Sequence, residues 1–534
     1  MVTQVLCPIL DIPTELLVRI LSYLPCVDLC LLQGTCHRIK DIISGTPYLE
    51  YLLHTGLNNV DDLLPPDVPV PERVELLKSH ERAWCSLRLN MFEELSTQDD
   101  IRGDVARFTL QDGYFIHSDI IRGQGLKYRY IDLYSVVPGE EAHWVPIRLR
   151  VIRPRNVLFA ADQNLAVAIT QQGMGEHEDS RYKLHFFEFT TGDPHPHSSI
   201  PAVEIPPTHS SLYGFSQAAV VGDYILTVLG SPRHSSLLSL VSWKTGVVTH
   251  LRNYMDWGDF PNSHVRSEHV VIDSNLIAQL VTGGSDNGLE ICEIEYDPVD
   301  LKTVCFLRLP QFPRPVGAIP EISFAKEWVP TSKHHSTQSR LAFRERHGHV
   351  PFRSSSLGTV NVLLDYIPPP RKKGAEGVEG ESRKYVMIVS VAAIISAVRS
   401  DGLREVPWED WGPAGTHIFT LEEGAALPMS AGPFLITKFS PLEVRDYDLL
   451  RARYLRPTKE DSSSSSTTRT IFSSTRLVAD LGEGDEVETY LPYRSFTATE
   501  PKLRSFDKAV ADREWIVTIS SLDSTPNFTV YRVG

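Results

Sequence analysis

Near residue 95 the apolar residues of this chain stop recurring every three or four positions and begin to alternate or to cluster in short runs. A period near 3.6 belongs to amphipathic helices and a period of 2 to half-buried strands. The switch therefore divides the chain into a short helical part and a long β part, a multidomain α then all-β organisation.

Before the switch, Leu16, Leu17, Ile20, Leu21 and Leu24 form one wide apolar face. Pro13 suits the first turn of that helix, where its missing N–H has no intrahelical partner to lose. Glu15 lies at the positive end of the helix dipole. Pro25 cannot continue the helix, and Asp28 is positioned to cap the next one. The pattern predicts that second helix to carry Leu29, Leu32, Cys36, Ile39 and Ile43 on one side, weakened at Gly34 by about 1 kcal/mol relative to alanine. A third short helix, Tyr48 to Leu53, is expected to stop at Gly56. A fourth, Glu72 to Leu89, carries Val74, Leu77, Trp84 and Leu87.

After the switch, runs such as VARFTLQDGYFIHSD, YKLHFFEFTTGD and LLSLVSWKTGVVTHL read as strands joined by tight turns. Two of them end alike, FEFTTG and VSWKTG, with Gly192 and Gly246 separated by 54 positions. The segments around Leu165, Ile225 and Leu276 share a shape at spacings of 60 and 51, and AVADREWIVTIS repeats it around Trp515. Small antiparallel sheets repeated at such intervals have two apolar faces each and bury them by stacking radially, so the expectation is a β-propeller-like domain. Neither a recurring GH…WD pair nor a double-glycine repeat is present, and a pair of β-sandwiches is the alternative. The number of blades is not readable from these spacings. Two stretches, Pro368 to Lys384 and Pro457 to Arg469, lack apolar residues to order them and are expected to be loop insertions, the second rich in serine. The run Val386 to Val398 is too short to span a bilayer as a helix and is expected to form one or two buried strands.

Composition narrows the function. Lys+Arg number 52 against Asp+Glu 67, a formal charge of −15, which disfavours a general nucleic-acid binder. The start MVTQVLCPILDIP has no basic segment followed by an apolar one, so no secretory signal and no membrane anchor are expected. Seven scattered cysteines do not make a disulfide framework, and the cytoplasm or nucleus is the expected compartment. No G-x-x-x-x-G-K-[ST], G-x-S-x-G or H-E-x-x-H occurs. His195-x-His197, His334-His335 and His347-x-His349 lack the C-x₂-C partners of a zinc site, so no metal and no cofactor are expected. Asp446-x-Asp448 and Glu409-Asp410 are acidic pairs without a visible arrangement for acid–base chemistry. Trp408 and Trp411, in PWEDWGP, are a weak candidate for substrate binding, with core packing the commoner use of such a pair.

The segment ILDIPTELLVRILSYLPCVDLCLLQGTCHRIKDIISGTPYLEYLL resembles an F-box. The likeness rests on Ile12-Pro13, Glu15-Leu16-Leu17, Ile20-Leu21, Leu24-Pro25, Asp28-Leu29 and Cys36-His37-Arg38. Ile12, Thr35 and Ile39 depart from the usual leucine, valine and tryptophan. ERVELLKSHERAW, WKTG, PWEDWGP and LPYRSF are further similar to F-box proteins of mushroom-forming fungi. The resemblance implies an F-box over 9–55, a helical linker over 56–95 and a β-propeller-like substrate-recognition domain over 96–534. It implies a non-catalytic receptor subunit of a cullin-based ubiquitin ligase. Pro13, Leu16, Leu17, Ile20, Leu24, Pro25 and Leu29 would dock a Skp-type adaptor, and through it cullin, while the β domain captures a target protein. The linker helix would set the orientation of the two parts if it packs on both. A ligase-independent interaction scaffold and an all-β hydrolase with an appended F-box are the competing readings.

Overall fold

A computed structural model of the chain describes residues 11–58 and most of 60–85, and beyond 89 the strands with many of their tight turns. Outside the described residues are 1–10, 86–88, 97–106, short turns, and the longer connections at 173–180, 206–213, 254–267, 311–320, 325–351, 367–382, 422–428, 448–465, 479–485, 499–507 and 521–526. The bulk of both expected insertions, 368–382 and 457–465, falls among these.

The N-terminal part is helical. α1 (Thr14–Leu21) and α2 (Cys26–Gln33) each begin after a proline in extended backbone, Pro13 and Pro25, and neither has a side-chain cap. Asp28 therefore lies within the first turn of α2, where its charge meets the dipole, and does not cap it. The expected second helix is two helices. α2 ends at Gly34, Cys36 is fully extended, and α3 (His37–Gly45) starts afresh. α4 (Pro47–Asn58) runs straight through Gly56. A Cβ at Gly56 would lie 2.3 Å from Cys26 Cβ, so the glycine is there for the close approach of α2 and α4 and not as a stop. Leu17, Leu21, Leu29, Cys30, Ile39, Ile43, Leu49 and Leu53 make the core of these four helices. α5 (Val70–Cys85) packs on α4 and stops four residues short of the expected Leu89, which instead begins a strand.

The β part is a propeller. Among the described residues, five sheets of four strands and two of five strands follow one another along the chain. Blades 1, 2 and 3 occupy 107–149, 154–205 and 214–253. Blade 4 occupies 268–308, blade 5 lies within 321–421 and blade 6 within 429–498. Blade 7 takes three strands from 508–533 and its outermost from Leu89–Ser96, which pairs antiparallel with Asn527–Val533. The two ends of the β region thus share one sheet, and no blade is left with an open neighbour. Apolar clusters join blades 1–2, 2–3, 3–4, 4–5, 5–6 and 7–1. The first strands of blades 6 and 7 also touch, which closes the ring.

The sequence repeat marks one place in the blade. Leu165, Leu276 and Trp515 open the second strand of blades 2, 4 and 7, and Ile225 is the second residue of that strand in blade 3. Gly192 and Gly246 hold φ of 77° and 78° in the turn after the third strand. A Cβ at Gly192 would meet Ile147 at 2.7 Å, and one at Gly246 would meet Ile200 at 2.0 Å, each on the preceding blade or the turn leading to its last strand. Both glycines are needed twice over, for the left-handed backbone and for the contact with the neighbouring blade.

The run Val386 to Val398 is half strand and half helix, not strand throughout. Arg383–Ser390 is the third strand of blade 5, and α6 (Val391–Val398) follows at once. The chain then adds Arg404–Val406 as a fifth, parallel strand to blade 4 and turns into α7 (Trp408–Gly415) before returning to blade 5. This excursion seals the seam between the two blades with Ile394, Trp408 and Trp411. No described helix is long and apolar enough to cross a membrane.

Candidate functional site

α1 has a wide apolar stripe, and the helical core uses only one edge of it. Leu17 and Leu21 point inward at 2% and 4% exposure, whereas Leu16 and Ile20 stand at 52% and 45%. Tyr23, just beyond α1, is 77% exposed, the largest value among the exposed large hydrophobic residues described. Leu16, Ile20 and Tyr23 line a groove with Ile12 and Pro13, to which Asp11 and Arg19 add charge. Arg38 on α3 donates from Nη2 to the Ile12 carbonyl at 3.3 Å and so ties down the segment that enters α1. On α2, Val27 and Leu31 are exposed beside the exposed Pro25.

The seven residues singled out from sequence therefore divide. Pro13, Leu16, Ile20 and Pro25 are at the surface, Leu24 is half-buried against the helical core, and Leu17 and Leu29 are inside it. Tyr23 in the same groove, and Val27 and Leu31 on α2, are also exposed and were not singled out. For Val27 and Leu31 the signal was present in the sequence, since each is an apolar residue off the core-facing period of α2, whereas Tyr23 lies beyond the end of α1. Isolated exposed leucines need no explanation, but apolar residues gathered along one groove, as Leu16, Ile20 and Tyr23 are with Ile12 and Pro13, make a candidate surface for another molecule.

The remaining candidates are structural where they are described. Trp408 and Trp411 are buried, their rings edge to face at 5.5 Å, and Trp411 Nε1 donates to the Arg308 carbonyl of blade 4 at 2.9 Å. The pair staples two blades and offers a substrate no open aromatic surface. Its neighbours Glu409 and Asp410 are exposed in the first turn of α7. Trp243 of WKTG is buried between blades 2 and 3, with Nε1 on the Gly222 carbonyl at 3.2 Å and the His195 ring edge-on at 4.8 Å. His195 accepts the His197 N–H at Nδ1 and faces the Gln163 carbonyl with Nε2, so it braces a turn. Asp446 is fully buried and receives Nε and Nη2 of Arg494 at 3.2 and 2.8 Å. Asp448 and the histidines at 334, 335, 347 and 349 lie outside the described residues. Among the described residues no three metal-ligating side chains converge.

Residues 9–49 match the F-box-like family model. No curated protein matches the chain. Among solved structures, an oligogalacturonate lyase in complex with manganese is 9% identical, with 84% of this chain and 96% of that chain covered and a TM-score of 0.35. The WD40 domain of SCAP from fission yeast is 8% identical over 84% and 95%, with a TM-score of 0.34. The polysaccharide lyase Uly1 is 9% identical over 83% and 92%, with a TM-score of 0.36. At these values the likenesses carry no argument about activity. The exposed face of α1 and α2 belongs to an F-box-like domain, and the chain is an F-box-like helical unit followed by a β-propeller.

Proposed function

We propose that this chain is the substrate receptor of a cullin-based ubiquitin ligase, docking a Skp-type adaptor on α1 and α2 and holding a target protein on the propeller. The observation that carries the reading is the set of apolar side chains on α1, α2 and the turn between them, Leu16, Ile20, Tyr23, Val27 and Leu31, left exposed by a unit that already has its own core. In this reading Pro13, Leu16, Ile20, Leu24 and Pro25 meet the adaptor, while Leu17 and Leu29 hold the helices that present them. The receptor makes and breaks no bond. It keeps a target lysine near the conjugating enzyme and so raises its effective concentration. The wider likeness to F-box proteins of mushroom-forming fungi belongs to the same proposal.

Leu16→Ser/Ile20→Ser tests it, because neither side chain is part of the helical core. Each apolar side chain buried at an interface is worth about 1.5–3 kcal/mol, so the double variant should lose well over tenfold in affinity for a purified Skp-type adaptor with its circular dichroism unchanged. Full affinity in the folded variant, or no binding by the wild type, would overturn the docking reading and leave the interaction-scaffold reading in its place.

A further inference from the structure

We infer that the helical part and the propeller are one interlocked body, with Arg494 as the joint, so that the exposed face of α1 and α2 is carried at a fixed attitude to the ring. The inference goes beyond the proposed function and does not depend on which partner binds that face.

Three attachments at three successive blades support it. At blade 5, Val60–Asp62, which follows α4, pairs antiparallel with Phe352–Ser354, a strand from the connection between the first two strands of that blade. Asp62 in turn accepts the Tyr51 hydroxyl of α4 at 2.6 Å and pairs with Arg73 of α5, so the paired strand is tied to both helices. At blade 6, Glu81 of α5 reaches Arg494, with Oε1 3.6 Å from Nη1, while Asp446 takes the rest of the guanidinium fork. His54 Nδ1 of α4 stands 3.9 Å from Glu81 Oε2. All four side chains are buried. At blade 7, α5 lies against Asn527–Val533, and the chain goes on from α5 into the outermost strand of that same blade.

The chemistry of the three contacts explains why they would lock and not merely touch. Apolar packing is non-directional, so greasy surfaces alone tolerate sliding. A strand pair has a register that a one-residue slip destroys. A guanidinium shared between two carboxylates has fixed donor directions, and removing one carboxylate alters a buried charge balance. Attachment at three separate places leaves a body no axis to turn about.

Hydrogen exchange and calorimetry on the full chain test this. The wild type should melt in a single transition, and the amides of α4 and Val60–Asp62 should be protected as strongly as those of blade 2. Glu81→Gln, which keeps the shape and removes the charge, should speed exchange at α4 and Val60–Asp62 at least tenfold and leave blade 2 unchanged. Arg494→Met should do the same. Two separate transitions in the wild type would overturn the inference. So would α4 amides exchanging far faster than those of blade 2 and indifferent to Glu81→Gln. The wild-type measurements decide the matter even if a variant fails to fold.

Discussion

Arg445 brings a permanent charge into the seam between blades 5 and 6, where it adds to the effect of burial on His417 beside it. Its guanidinium stacks over Phe419 and Tyr493 at 5.1 and 4.9 Å, with Nε on Glu443 at 2.8 Å and Nη1 3.4 Å from His417 Nε2. Burial, and then the charge of Arg445, push the His417 pKa down to about 3. In the unfolded chain that imidazole protonates near 6.5. As pH falls below 6.5 the unfolded state therefore takes up a proton that the native state refuses, and stability drops by about 1.4 kcal/mol per pH unit until the native pKa is reached. Above pH 7 the effect vanishes. His417→Gln, which keeps an acceptor for Arg445, should remove one proton from this dependence. Denaturant melts between pH 6 and 4 should then show the wild type losing ground to the variant, and parallel curves would refute the assignment. At this scale the sequence was half legible. The periodicity of α1 located the apolar stripe but not which edge faces the core. Leu16 and Leu17 are adjacent in sequence and opposite in role because the stripe is wider than the core needs.

Elements were legible where one period rules and illegible where two meet. Val386 to Val398 is apolar apart from Ser390 and Ser396, so its hydrophobic pattern does not show the change from strand to helix at Val391. Intrinsic preference does show it, because Val386, Ile388 and Val389 favour a strand while Ala392, Ala393 and Ala397 favour a helix. The break of the second helix was misjudged for a related reason. The apolar positions of α2 and α3 happen to stay in phase across Gly34-Thr35-Cys36, so period alone reads through the turn. PWEDWGP shows the structural use of a conspicuous motif. The hydrogen bond from Trp411 to the Arg308 carbonyl anchors an excursion of blade 5 on the edge of blade 4, beside the added strand Arg404–Val406. Trp411→Phe keeps most of the packing and leaves that carbonyl without the indole donor. It should cost about 1–3 kcal/mol, read as a lower midpoint in denaturant, and an unchanged midpoint would mean that the staple is the packing alone.

At the scale of the whole molecule the repeat revealed the architecture but not the count. Blades 2, 3 and 4 each take four strands consecutive along the chain with no α-helix between them, so their second strands recur at legible spacings. Blade 5 contains α6 and α7, and blade 6 carries the added strand Ser466–Ile471 between its third and fourth strands, so the spacing is lost there. Blade 7 showed in the repeat only through its inner strands around Trp515, its four strands being divided between 89–96 and 508–533. Closure by that division is testable. A chain beginning at residue 97 should melt lower and less cooperatively than the full chain, and a peptide of residues 86–96 added in trans should raise the midpoint where a scrambled peptide does not. A truncated chain as stable as the full one would show that the ring closes without this strand.

Sharing blade 7 between the two ends also sets the order of events at the ribosome. Ser96 and its partner Asn527 are 431 positions apart. At about 5–20 residues per second of synthesis, the strand Leu89–Ser96 waits about 20–90 s for the strand it must join. For that interval its backbone groups are open to pairing with any other chain. The ring's closing bonds form only after Asn527–Val533 has been made, so a chain cut short before that strand cannot complete it.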